Sequence, residues 1–149
     1  MLGNKGHLTA ITRTKLSTPM KYLFTNLLDR KVITDNQKQI LDFGCGKGFD
    51  AESLGLDMYD PYYYPEYPNK KYDIITCNYV LNVLTEPEVN KVLGEIKGLL
   101  NNKGVAYITV RRDVKKDGWT KRGTYQRNVI LTLPILKETS GYCIYKLEA

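Results

Sequence analysis

Histidine is nearly absent from this chain of 149 residues, since His7 is the one copy. A catalytic triad built on histidine and a multi-histidine metal site are therefore not expected, and we predict no bound metal. Cysteine is also scarce: Cys45, Cys77 and Cys143 are odd in number, and no two have the Cys-x-x-Cys spacing. This spacing argues against both a disulfide framework and a zinc knuckle.

Long apolar runs are missing as well. No stretch approaches the roughly 20 apolar residues of a membrane-spanning helix, and the first residues lack the apolar centre of a secretion signal. Hydrophobic residues make up 42% and charged residues 26% of the chain, which is typical of a globular protein with its own core. We expect one cytoplasmic domain over residues 1–149, in which residues 1–38 form a basic segment and a cap helix.

Positive charge is concentrated in two segments of a chain whose net charge is +6. Residues 1–38 and residues 111–127 each carry seven Lys or Arg side chains against two acidic ones. If folding brings the two segments together, they favour an anionic partner, whereas solvated faces are the alternative interpretation.

Apolar patterning along the chain predicts an α/β order of elements. A hydroxyl cap and a proline predict a helix that begins at Ser17, and the capping box from Thr85 to Glu88 predicts a longer one. Short strands are expected over 39–43, 56–59, 72–77 and 105–110, with a short helix over 49–54. Residues 111–126 are expected to form a long loop or broken helix, and 128–133 and 142–147 a terminal strand pair.

The stretch ILDFGCGKGFD, residues 40–50, places three alternating glycines directly after the first strand. Ligands of parallel α/β sheets bind beyond the carboxyl ends of the strands, which is where this turn belongs. The dinucleotide motif fails because Phe49 occupies the place of its last glycine. The phosphate loop fails because Leu41 and Gly48 stand where it needs glycine and a hydroxyl residue.

The pattern that is present, acid-x-Gly-x-Gly-x-Gly from Asp42, resembles motif I of class I S-adenosylmethionine-dependent methyltransferases. This resemblance implies an enzyme with a Rossmann-like fold, a mostly parallel sheet and a C-terminal antiparallel strand pair. It implies that Gly44, Cys45 and Gly46 approach the cofactor closely, which glycine backbone permits. Asp42 would help to hold the cationic amino group, and no phosphate cradle is needed.

The same resemblance assigns further cofactor contacts. An acid at the end of the second strand should hold the ribose hydroxyls, and Asp60 fits this place better than the competing Asp57. Few residues separate Asp60 from the next strand, so the usual third strand is expected to be missing. The proline and tyrosine loop that replaces it, with Pro61, Tyr62 and Tyr63, either covers the adenine or plugs the shortened sheet edge.

After the strand YDIITC, Asn78 and Tyr79 lie where this superfamily lines the cofactor and the reaction centre, and they are the candidate catalytic residues. Amino-methylating DNA enzymes carry Asn or an acid before Pro-Pro and an aromatic residue, and this chain lacks those prolines. Segments along nearly the whole chain are similar to a family of small bacterial and phage methyltransferases, some of them associated with DNA phosphorothioation.

A nucleic acid or another polyanion is the acceptor that the basic segments favour. Trp119, Tyr125 and the tyrosines of 62–67 would stack on bases. A small molecule, a protein side chain, or a cofactor-binding module without catalysis are the alternatives. The cationic side chains expected to rim the cleft are Arg13, Lys15, Arg111, Arg112, Lys121 and Arg122.

Overall fold

The computed structural model describes residues 14–27, 39–114, 116–121 and 123–149. A π turn covers Leu23–Leu27, and a 3-10 turn covers Leu81–Val83. The helices are α1 (Thr18–Tyr22), α2 (Phe49–Leu54) and α3 (Glu86–Gly98). The strands are β1 (Ile40–Phe43), β2 (Asp57–Tyr59), β3 (Tyr72–Asn78), β4 (Leu100–Arg111), β5 (Gly118–Trp119), β6 (Tyr125–Gln126), β7 (Ile135–Glu138) and β8 (Tyr142–Glu148).

Six strands form one mixed sheet in the order β2-β1-β3-β4-β8-β7. The first four run parallel to their neighbours, and β8 is antiparallel to both β4 and β7. This arrangement confirms the predicted Rossmann-like α/β sheet with an antiparallel pair at its C-terminal end. All the parallel strands therefore direct their carboxyl ends to the same edge of the sheet.

The central strands are buried on both faces, as parallel strands covered by helices usually are. On one face Leu41, Ile75 and Ile108 pack in the cluster that contains Val92 and Ile96 of α3. On the other face Met20 from α1 lies in a smaller cluster with strand residues such as Ile74, Tyr107 and Ile144. The N-terminal helix thus covers the sheet opposite α3.

The predicted capping box at the start of α3 is confirmed. The Glu88 amide donates to Thr85 Oγ1 (3.4 Å), and the Thr85 amide donates to Glu88 Oε1 (2.9 Å). These reciprocal bonds satisfy two backbone donors that the first helical turn would otherwise leave open. Val89, Val92 and Ile96 then recur along the buried face.

The prediction of a strand over residues 128–133 is wrong. Side chains take up the backbone groups that a neighbouring strand would need. The Asn128 amide donates to Asp117 (2.8 Å) and the Leu131 amide donates to the Tyr145 hydroxyl (3.1 Å). The partner of β8 is instead β7, which follows Pro134 and whose pairing register shifts between Ile135 and Lys137.

The polar segment over 111–126 is also more ordered than the sequence indicates. It contains a two-stranded hairpin in which β5 pairs with β6. Trp119 and Tyr125 are partners across this hairpin, and their rings meet edge to face with centroids 5.5 Å apart.

Within the described residues β2 is an edge strand, and 60–71 contains no helix or strand beyond a single bridge between Asp60 and Tyr64. The Tyr67 ring packs edge to face on Tyr59 at a centroid distance of 5.2 Å. The tyrosine loop therefore lies beside β2, in agreement with the expected loss of the third strand.

Candidate active site

The glycine turn begins where β1 ends. Gly44, Gly46 and Gly48 have φ angles of 77°, 59° and 90°, which is the left-handed region that favours glycine. The amides of Gly44 and Cys45 both donate to the Tyr59 carbonyl, at 2.7 and 3.1 Å. These bonds join the turn to the end of β2.

Asp60 lies directly against this turn. One carboxylate oxygen accepts a hydrogen bond from the Gly46 amide (2.9 Å), and the other accepts from the amides of Tyr62 (2.9 Å) and Tyr63 (3.1 Å). The side chain is buried, and its oxygens provide about four acceptor positions, of which three are occupied. Asp60 therefore positions both the turn and the tyrosine loop, and the described residues leave one of its acceptor positions unoccupied.

Asp57, the competing candidate, lies at the start of β2, paired in register with Leu41. Its carboxylate accepts from the Tyr72 hydroxyl (2.8 Å) and forms an ion pair with Lys70 (3.1 Å). Since the turn lies beyond the other end of β2, the structure places Asp60 and not Asp57 at the turn. The ribose contact itself stays a prediction.

Asp42 is a buried acidic residue near the carboxyl end of β1. Its carboxyl accepts a hydrogen bond from Thr76 Oγ1 (2.9 Å) on the neighbouring strand β3. Burial raises the pKa of Asp42 to about 7, the Thr76 bond opposes that rise, and the charges of Asp50 and Asp60 add to it. A cation placed near this carboxyl would favour its charged form.

Asn78 and Thr109 lie on the same face of the sheet as Asp42 and Thr76. Asn78 ends β3 and is the register partner of Thr109 on β4. The amide nitrogen and oxygen of Asn78 and the hydroxyl of Thr109 are buried with no hydrogen-bond partner in the part of the chain that the structure describes. Such groups are uncommon because each costs the desolvation of a polar atom.

Tyr79 adopts a left-handed backbone conformation, with φ 61°, directly after Asn78. Its amide donates to the Thr109 carbonyl (2.9 Å), which fixes this turn to β4. A left-handed φ is unfavourable for a residue with a Cβ, so strain is present at the strand end where the candidate catalytic residues lie.

The tyrosine loop packs over the glycine turn. The Tyr64 hydroxyl donates to the Lys47 carbonyl (3.3 Å), and the Asp60 and Tyr64 backbones exchange two hydrogen bonds of 3.0 Å. Pro61 and Tyr63 are half-buried, whereas the Tyr62 side chain is 60% exposed. Contact of Pro61 or Tyr62 with adenine stays a prediction.

Two of the six cationic side chains predicted to rim the cleft form ion pairs with acidic side chains in the structure. The Arg112 side chain is 13% exposed and donates to Glu138, to the Val129 carbonyl and to the Tyr145 hydroxyl, so it braces the C-terminal strands. Arg111 pairs with Asp113 at 2.8 Å. Lys15 and Lys121 are exposed, whereas Arg13 and Arg122 lie outside the described residues.

Two sets of contacts near the turn join residues that are far apart in the sequence. The amide and hydroxyl of Ser17 donate to the carboxylate of Asp50, at 2.9 and 2.7 Å, which ties α1 to the first turn of α2. Asn82 is buried, donates to the Arg127 carbonyl (2.7 Å) and accepts from the Arg111 amide (2.8 Å). Both pairs are distant in sequence, so no local signal indicates them.

No helix in the described ranges is long and apolar enough to cross a membrane. Across the same residues, no group of three or more His, Cys, Asp or Glu side chains is arranged to hold a metal ion.

Comparison with solved structures identifies the fold. The chain is similar to the N-methyltransferase NodS from Bradyrhizobium japonicum, solved with S-adenosylhomocysteine, with 12% identity, coverage of 74% and 77% of the two chains, and a TM-score of 0.54. It is similar to an S-adenosylmethionine-dependent methyltransferase from Mesorhizobium loti, with 8% identity, 75% and 91% coverage and a TM-score of 0.53.

The overlap is smaller for an amino pentose methyltransferase from Micromonospora echinaspora. The chain spans 44% of that protein, with 52% of its own length, 17% identity and a TM-score of 0.42. No curated protein sequence matches the chain.

The family model described as a methyltransferase domain matches residues 12–133, which include the glycine turn, Asp60, Asn78 and the hairpin. With this match over most of its length, the chain belongs to the methyltransferase domain family.

Proposed function

We propose that the protein is an S-adenosylmethionine-dependent methyltransferase that acts on nucleic acid. The observation that supports the cofactor is the cluster around the glycine turn, where the Asp60 carboxylate accepts from the Gly46 amide at 2.9 Å and Asp42 lies at the end of the adjoining strand. A nucleotide phosphate would be repelled by these two acids, whereas ribose hydroxyls and an ammonium group are suited to them.

The residues at the strand ends fit this cofactor. Asp60 has one open acceptor position for a ribose hydroxyl, and Asp42 presents a buried carboxyl to an amino group. When bound, the cofactor supplies a methyl group on a sulfonium whose leaving group is already activated. The protein then needs mainly to align an acceptor and to keep water out, which does not require histidine.

The acceptor proposal depends on charge and on exposed aromatic side chains. Trp119 is 75% exposed beside Tyr125, and Lys121 lies between them in the hairpin. The backbone of Asn82, just after β3, accepts from the Arg127 amide (2.7 Å), so the hairpin is fastened at the carboxyl edge of the sheet. Aromatic faces and cations in one place are suited to bases and phosphates.

Lys15 brings positive charge to the same edge, because Ser17 two residues later bonds to Asp50 after the glycine turn. A membership in the phosphorothioation-associated group of bacterial and phage methyltransferases, and a cytoplasmic location, are compatible with this acceptor and remain proposals.

Calorimetry with S-adenosylhomocysteine tests the cofactor assignment. Asp60→Ala should weaken binding at least tenfold, about 1.4 kcal/mol, because it removes both a ligand contact and the anchor of the Gly46 amide. Asp57→Ala is the matched control, with its carboxylate at the far end of β2, and should bind as the parent protein does. Equal losses in the two variants would refute the assignment.

Transfer of a labelled methyl group to phage or bacterial DNA and RNA tests the acceptor. Incorporation is expected, together with nucleic-acid binding that weakens steeply as salt rises. Trp119→Ala should weaken that binding while leaving cofactor affinity unchanged, since the indole is exposed on the hairpin. No incorporation and no salt-dependent binding would exclude nucleic acid as the acceptor.

A further inference from the structure

Asn82 bridges the two ends of the polar segment that contains the β5–β6 hairpin. Its amide oxygen accepts from the Arg111 backbone amide (2.8 Å), where β4 ends, and its amide nitrogen donates to the Arg127 carbonyl (2.7 Å), directly after β6. The Asn82 carbonyl also accepts from the Arg127 amide (2.7 Å). One fully buried side chain therefore holds the chain where it leaves the sheet and where it returns from the hairpin.

Arg127 adds a second attachment at the same place. Its Nε donates to the Leu84 carbonyl (2.7 Å), two residues after Asn82. Trp119 and Tyr125 lie one residue pair further along the hairpin, with the indole 75% exposed. The exposed aromatic pair is therefore held in place through the base of the hairpin.

The bridge uses both functions of an asparagine amide. The nitrogen donates to the Arg127 carbonyl while the oxygen accepts from the Arg111 amide. A carboxylate at this position would lose the donor, and a hydrocarbon side chain would lose the donor and the acceptor. The residue type at position 82 thus specifies the attachment.

The segment that carries Asn82 also packs on the glycine turn. Val80 lies two residues before Asn82, and a Cβ on Gly44 would clash with its Cγ2 atom. This close contact places residues 80–84 between the glycine turn and the hairpin. A change at Asn82 is therefore expected to shift the hairpin relative to the turn.

We infer that Asn82 is a positioning residue for the methyl acceptor, because it sets where the Trp119 and Tyr125 rings lie relative to the glycine turn. Methyl transfer requires an aligned acceptor, and a displacement of about 1 Å costs on the order of a hundredfold in rate. A hairpin that is already in place also spares the acceptor the entropy of ordering it. This inference rests on the proposed function, because it takes the hairpin to bind the acceptor.

The first test observes the hairpin directly, because Trp119 is the one tryptophan of the chain. Time-resolved fluorescence anisotropy measures the nanosecond motion of its indole, which Asn82→Ala should increase. Asn101→Ala is the matched control, since its amide donates to Asp73 (3.0 Å) near the amino end of β3, at the opposite edge of the sheet. Equal motion in the two variants would overturn the inference.

Arg127→Lys is a milder variant for the same measurement. Arg127 is half-buried, and lysine keeps the positive charge but lacks the planar Nε donor that reaches Leu84. It should also increase the motion of Trp119, so the test holds even where Asn82→Ala folds poorly. Unchanged motion in Arg127→Lys together with Asn82→Ala would contradict the attachment.

The second test measures affinity for a mixed-sequence single-stranded oligonucleotide in the presence of S-adenosylhomocysteine. Asn82→Ala and Arg127→Lys should weaken it about tenfold, with S-adenosylhomocysteine binding and Asn101→Ala unchanged. In a Trp119→Ala background, Asn82→Ala should add little further loss, because two residues that act through one element are not additive. Full additivity would mean that Asn82 acts elsewhere and would overturn the inference.

The two measurements distinguish failure of this inference from failure of the nucleic-acid proposal. Increased motion of Trp119 in Asn82→Ala, in a protein whose parent binds no oligonucleotide, would remove nucleic acid as the acceptor and retain Asn82 as the residue that positions the hairpin. Oligonucleotide binding that Asn82→Ala and Arg127→Lys leave unchanged would retain the proposed function and overturn the inference.

Discussion

At the scale of single residues, two carboxyl groups make most of the side-chain contacts around the glycine turn. Asp60 accepts three backbone amides and orders the glycine turn and tyrosine loop together, whereas Asp42 is buried against Thr76. Asp60 thus holds backbone segments in place, whereas Asp42 contributes a buried carboxyl whose pKa is raised. Thr76, which donates to Asp42, and Asn78 lie on the same strand and the same face of the sheet.

The pH dependence of stability should report Asp42. Its pKa is raised from 3.8 to about 7 by burial, so between these values the folded protein keeps a proton that the unfolded chain has lost. The free energy of unfolding should therefore fall as pH rises through this window. Asp42→Asn, which stays neutral, should lack that fall in urea denaturation from pH 4 to 8, and parallel profiles would contradict the assignment.

Gly44 and Gly55 have nearly equal φ angles but different surroundings. Substituting each one therefore distinguishes the stability cost of a left-handed backbone from the cost of a steric clash. A Cβ on Gly44 would clash with Val80 Cγ2, whereas a Cβ on Gly55 meets nothing within 4 Å. Gly55→Ala should cost about 1–2 kcal/mol for its left-handed backbone alone. Gly44→Ala should cost roughly 1–3 kcal/mol more, since the overlap adds overpacking. Chemical denaturation measures both, and equal costs would show that Val80 moves aside freely.

At the scale of elements, α1 is fastened by side-chain contacts over a long sequence separation. Ser17 is the residue before the helix, yet its hydroxyl donates to Asp50 and makes no bond to the α1 backbone. The helix position is thus set by α2, next to the glycine turn.

Removal of this fastening should loosen α1. Ser17→Ala should cost about 2 kcal/mol, as expected for a hydrogen bond to a charged group, because the hydroxyl is buried and bonded to a carboxylate. Thr18→Ala, one residue later and exposed, is the control and should be close to neutral. Hydrogen exchange of the α1 amides measures the effect, and equal protection in both variants would contradict it.

Elements with local signals could be predicted from the sequence. The capping box located the start of α3, and the apolar runs located β1, β3 and β8. Residues 128–133 have the composition of a strand, but partners in distant parts of the chain, Asp117 and Tyr145, occupy their backbone amides. The unpartnered state of Asn78 and Thr109 likewise depends on strand register, which no local pattern specifies.

At the scale of the whole molecule, charge is divided between interior and surface. Asp42 and Asp60 are buried near the glycine turn, whereas Lys15 and Lys121 are exposed. The resemblance of motif I pointed to the acids beside the glycine turn, and the short spacing between Asp60 and Tyr72 predicted the shortened sheet. The resemblance did not separate structural cations from exposed ones, because the buried contacts of Arg112 depend on where β7 pairs.

Cofactor binding should stabilise the entire fold. A ligand at 100 times its Kd adds about 2.7 kcal/mol, which corresponds to a rise in Tm of roughly 5–10 °C for a chain of this size. S-adenosylhomocysteine should produce this rise in a thermal melt, and NAD should produce none, because the dinucleotide motif is absent. A shift with NAD alone would contradict the proposed cofactor.

The outer strand β7 has a consequence for how the protein behaves at high concentration. Pro134 precedes it, its register shifts between Ile135 and Lys137, and Lys137 lies over the Tyr22 ring with its ammonium 4.4 Å from the centroid. A short, irregular edge strand that carries charge is a poor template for strand addition from another molecule. The open side of the sheet is thereby protected against edge-to-edge aggregation.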